Sequence, residues 1–139
     1  MLKKTNFQFL ISYTGLLPFL IILLDKLFLN FLNNNIVSDF LIFYSLIIFV
    51  FIGAVNWNLK KNISFFLILL GFMPSFISVL IIIMTLYSYE VTVYIIMLFV
   101  IQLILDYFNY KEDKHRAIYF KLRVPLTLVI IFCLIFIQL

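Results

Sequence analysis

The chain has 139 residues, of which 66% are hydrophobic and only 12% charged, about half the roughly 25% charged residues of a soluble domain. A water-soluble fold of this length has too little interior to hide so much apolar surface. The net charge of +4 comes from basic residues confined to short gaps between apolar runs, which excludes soluble globular, disordered and nucleic-acid-binding classes and leaves a polytopic helical membrane protein.

A spanning helix needs about 20 mostly apolar residues. The first such run is Phe7–Leu24, stopped by Asp25-Lys26 and carrying Gly15 and Pro18. Its Met1-Leu2-Lys3-Lys4 start resembles a signal peptide, but no small-residue cleavage pattern follows, so the segment reads as a retained span. A polar turn at Asn33-Asn34-Asn35 leads to the second run, Phe40–Trp57, which ends before Lys60-Lys61. The third run is Ile63–Leu86, with Pro74 near its middle and a Gly71/Ser75 pair suited to close helix approach. The fourth is Val91–Tyr110 and contains Gln102 and Asp106; the fifth is Leu122–Leu139, with Pro125 in its first turn, where a missing N–H is tolerated. Pro18 and Pro74 both read as mid-span kinks. No alternating pattern competes with these runs, so a β-barrel is not expected. The gaps leave no room for a soluble domain, and residues 1–139 read as one transmembrane domain, an all-α bundle of five helices.

Charge orients the chain. With five crossings, Lys3, Lys4, Lys60, Lys61, Lys111, Lys114, Arg116, Lys121 and Arg123 fall on one face and only Lys26 on the other. The positive-inside rule then puts the N-terminus inside and the C-terminus outside. Trp57, Tyr107, Tyr110 and Tyr119 sit at inner ends, and Tyr44, Tyr87, Tyr89 and Tyr94 near outer ends, the depth that amphipathic rings prefer.

Polar residues within spans carry the functional information, because hydrocarbon leaves them unsatisfied. Under this topology Tyr13, Asn56, Trp57, Gln102, Asp106, Arg123 and Thr127 all sit in the inner halves of their helices. Gln102 and Asp106, four apart, share a helix face. The cluster reads either as a proton-linked or headgroup-binding site, or as interhelical glue in which Asp106 pairs with Arg123; such bonds in membranes contribute about 0.6–2 kcal/mol each. No catalytic set is expected: there is no nucleophile–base pair, no second intramembrane aspartate and no glycine-rich phosphate loop. The lone His115 lies in a charged gap and the lone Cys133 in an apolar run, so neither a metal site nor a haem or other cofactor is expected.

The order of these landmarks carries a resemblance. Gly15-Leu16-Leu17-Pro18-Phe19 opens the first span, and Phe51-Ile52-Gly53 through Trp57 closes the second. Pro74-Ser75 marks the third, Gln102-Leu103 with Asp106 the fourth, and Tyr119, Leu122-Arg123 and Leu126-Thr127 open the fifth. From about Tyr13 onward the chain resembles the transmembrane protein 69-like family, also called domain of unknown function 3429. The resemblance implies a small integral protein of a bacterial inner membrane or a mitochondrial inner membrane, with no activity, cofactor or substrate to transfer. Asn58 departs from the glycine that often follows the family's tryptophan. Two readings of function follow. One is a non-enzymatic accessory or assembly/scaffold protein, in contact with the lipid bilayer and a membrane-protein partner. The other is a small transporter or lipid/quinone-binding protein using the polar cluster around Asp106.

Overall fold

A computed structural model describes residues 12–54, 65–109 and 119–138. Among these residues the chain is all-helical, with five helices. Helix α1, Leu17–Leu24, continues into a π-helical turn at Asp25–Leu29; α2 is Asn34–Ala54, α3 is Phe65–Leu86 and α4 is Thr92–Asn109. A second π-helical turn, Tyr119–Arg123, leads into α5, Val124–Gln138. Four segments are long and apolar enough to cross a membrane: Ser12–Leu29, Asn34–Ala54, Ile68–Leu86 and Tyr119–Ile137; the apolar stretch Thr92–Phe108 is shorter. Each presents large apolar side chains outward, among them Phe28, Ile47, Phe76, Val93 and Phe132. A soluble monomer rarely shows contiguous apolar surface on this scale. Lipid is the solvent these helices are built for.

The chain divides into two compact units, residues 1–41 with 96–139, and residues 42–95. In the first, α1 and α5 lie side by side and run parallel. The Tyr13 hydroxyl, just before α1, donates to the backbone carbonyl of Lys121, just before α5, at 2.5 Å. At the other end the Lys26 amine donates to the carbonyl of Ile137. Phe19, Ile22, Phe99, Ile130, Cys133 and Leu134 are buried in this unit.

Three boundaries differ from the sequence expectation, each for a local reason. The first helix does not stop at Asp25-Lys26. Asp25 is buried and stays helical, because its two carboxylate oxygens accept the backbone N–H groups of Phe31 (3.3 Å) and Leu32 (3.1 Å) where the chain folds back. Asn30 ends the π turn in the left-handed region, φ 46°, where asparagine is tolerated, and its N–H reaches the Asp25 carbonyl at 2.7 Å. The second helix begins at Asn34, six residues before Phe40, so the asparagine cluster is a helix start and not a turn. Asn33 Oδ1 accepts the Asn35 N–H at 3.0 Å, and its carbonyl accepts the Val37 N–H at 3.0 Å, the arrangement of an asparagine N-cap. Pro18 is not a mid-helix kink. The turn at Gly15-Leu16 precedes it, and Pro18 stands in the first turn of α1, where no N–H is needed.

In the second unit Pro74 does lie inside α3, and its ring decides how α2 approaches. A Cβ built on Gly53 would stand 2.4 Å from Pro74 Cγ and 2.8 Å from its Cβ, both shorter than side chains permit. Only glycine fits here. Gly71 is buried and Ser75 half-buried on the same helix, but the tight approach is at Pro74. Buried apolar residues of this unit include Ile42, Leu46, Phe49, Ile52, Ile81, Val91 and Ile95. Gly53→Ala is therefore expected to lower stability in detergent by about 1–3 kcal/mol, the usual cost of overpacking. Pro74→Ala, which removes the closest ring atom, should remain folded and should recover part of that loss in the double variant. Thermal melting of the three variants checks both statements.

Candidate functional site

The polar residues of the first unit assemble where α4 ends and α5 begins. On α4, Gln102 and Asp106 stand one turn apart, as spacing four requires, and Gln102 Nε2 donates to Asp106 Oδ1 at 3.0 Å. Facing them, Arg123 closes the π-helical turn before α5, and its Nε lies 3.7 Å from Asp106 Oδ2. That is ion-pair distance and not a short hydrogen bond. Asp106 is 1% exposed, Gln102 5% and Arg123 7%, so the charges face each other out of solvent. Thr127, one turn beyond Arg123, is also buried.

Tyr119 adds a contact that the polar-residue search passed over. It is buried one turn before Arg123, and its hydroxyl donates to the Leu103 carbonyl at 3.1 Å. Its ring lies 5.8 Å from that of Tyr107. A tyrosine near a helix end reads from sequence as an interfacial anchor; its hydrogen bond across to α4 depends on the hairpin. Tyr13 meets the backbone at Lys121 and not the Asp106 carboxylate. Pro125 has no N–H to offer the carbonyls of the turn before it, which holds Lys121. The Tyr13 hydroxyl supplies a donor in its place. Asn56 and Trp57 lie outside the described residues.

The structure thus brings Gln102, Asp106 and Arg123 into one buried network, puts Thr127 and Tyr119 beside Arg123 along the chain, and holds Tyr13 against the turn that carries Arg123. Asp25 and Lys26, which read from sequence as the end of a span, hold the opposite end of this unit. The signal available for them was Asn30, a residue suited to a left-handed helix end five positions after Asp25. Among the described residues no group of three His, Cys, Asp or Glu side chains is placed to hold a metal ion.

Buried ion pairs add little net stability when intact, but removing one partner strands the other charge at a cost of about 3–5 kcal/mol. Asp106→Asn and Arg123→Gln should each destabilise the protein in detergent. The double variant should lose less than the sum of the two, with a coupling of about 0.5–3 kcal/mol. Melting temperatures across the cycle measure this, and strictly additive losses would show that the two charges do not interact.

Comparison with curated proteins and with solved structures returned no match. The sequence pattern of one family, described as "Protein of unknown function (DUF3429)", matches residues 6–139. That span takes in all five helices and every residue of the cluster, and the chain belongs to the DUF3429 family.

Proposed function

We propose that this chain is a non-enzymatic accessory or assembly protein of a bacterial or mitochondrial inner membrane, which works by packing its apolar helices against other membrane components. The observation that carries the reading is the closure of the polar cluster. Asp106 is 1% exposed, and its carboxylate is engaged by Gln102 and Arg123. Within this cluster, the groups with the chemistry to relay a proton or grip a headgroup are committed to fixing α4 against α5. A transporter or quinone-binding reading needs a polar path to Asp106. Two clefts among the described residues are lined by Lys26, Leu27, Phe132, Ile135 and Phe136, and by Phe43, Leu46, Ile47, Val50, Ser78 and Ile82. Neither includes the cluster. What faces outward is apolar, suited to lipid and to the close packing of neighbouring helices.

The proposed topology is five crossings, N-terminus inside and C-terminus outside. Nine of the ten basic residues then share the inner face. The parallel contact of α1 and α5 supports the count. Parallel neighbours require an odd number of crossings between them; with α2 and α3 as two, α4 is the third in this topology. At 18 residues it stands at the short end of the spanning range. A reporter fused after Leu139 should therefore be active only on the outer side, and activity confined to the cytoplasm or matrix would remove the five-crossing topology.

The functional reading is tested by extraction into native lipid particles with crosslinking, alongside reconstitution of the purified protein in liposomes. The expected outcome is recovery of one membrane-protein partner in fixed stoichiometry, with ion and proton flux no greater than in empty liposomes. Flux that disappears in Asp106→Asn would overturn the proposal in favour of transport.

A further inference from the structure

We propose that the cleft between the far ends of α1 and α5 is a binding site for an anionic membrane lipid, with its acyl chain between the two helices and its phosphate on Lys26. The cleft has a volume of about 460 Å³ and is lined by Lys26, Leu27, Phe132, Ile135 and Phe136. Four of the five lining residues are apolar and exposed, and the rings of Phe132 and Phe136 stack at 5.8 Å and 18° into a flat wall. The fifth, Lys26, is a half-buried cation. The π-helical turn after α1 ends here, at Leu29, which puts Lys26 near the depth of lipid headgroups, with Phe132 deeper among the acyl chains.

Charge selects the occupant. The Lys26 ammonium has three N–H donors, and its bond to the Ile137 carbonyl uses one. The neighbouring carboxylate, Asp25, is buried with its oxygens on the N–H groups of Phe31 and Leu32, and it is not among the residues that line the cleft. A partner helix covering the cleft would have to bury this lysine where no carboxylate is among the lining residues, which is costly. A zwitterionic lipid would bring its own cation toward the ammonium. A lipid with net negative charge matches both the apolar walls and the cation.

Native mass spectrometry of the full chain in detergent, titrated with phosphatidylglycerol or with phosphatidylcholine of the same acyl chains, tests this. Phosphatidylglycerol should be retained about fivefold more strongly, the contribution of one lysine near a membrane surface, and Lys26→Gln should erase that preference. Because Lys26 also holds the end of α5, Ile135→Trp provides a second arm. It fills the cleft, leaves the lysine in place, and should displace the bound lipid from a protein that still melts cooperatively. Equal retention of the two lipids would overturn the proposal. So would retention unchanged in both variants, or a dimer of the chain that excludes lipid.

Discussion

In hydrocarbon no water is at hand to complete a hydrogen bond, so the backbone and charged groups that the chain carries into the membrane are driven to find partners within the protein. In the unit formed by residues 1–41 and 96–139 this requirement is met mainly at the two ends of a single seam, where α1 runs parallel to α5. At one end Tyr13 donates to the Lys121 carbonyl, in the turn just before Pro125. At the other, Lys26 donates to the Ile137 carbonyl, among the last of α5, while Asp25 gathers the N–H groups of Phe31 and Leu32. Lysine at a helix C-terminus also meets the negative end of the helix dipole. The buried network of Gln102, Asp106 and Arg123 then ties α4 to the start of the same α5.

This arrangement gives α5 its place in the architecture. Its own residues are almost wholly apolar after Thr127, and lipid offers little drive for apolar helices to associate. Its position therefore depends on polar contacts, and these come from three places: the segment just before α1, the turn after α1, and the last turns of α4. In the unit of residues 42–95 the device is different. There the fit is steric, with the backbone of Gly53 laid against the ring of Pro74 at a distance no side chain could occupy.

The membrane class and the five helices were legible in the sequence, because long apolar runs have few alternatives. The meeting of Asp106 with Arg123 was legible too, since a short connection between antiparallel helices brings residues at equal depth together. Where the reading failed, a local polar side chain had been taken at its average behaviour. Asp25 and Lys26 look like a solvated stop, and become structural only when the loop at Phe31-Leu32 and the end of α5 arrive. Asn33 looks like a turn residue and is an N-cap. Pro18 looks like a kink because the turn at Gly15-Leu16 ahead of it carries no strong signal. Tyr119 looks like an anchor because its acceptor, the Leu103 carbonyl, is backbone and invisible to a motif search.

The seam also has a kinetic consequence. Its two hydrogen bonds join residues 108 and 111 positions apart, close to the full length of the chain. During synthesis α1 enters the membrane long before its partner exists, with the Tyr13 hydroxyl and the Lys26 ammonium still lacking the carbonyls they will bind. The segments of the Gly53–Pro74 contact are both synthesised in the interval. Assembly of the first unit is thus a late ring closure, made slow by the entropy of joining distant segments. Until α5 arrives, the parallel face of α1 remains open to whatever else in the bilayer can satisfy it.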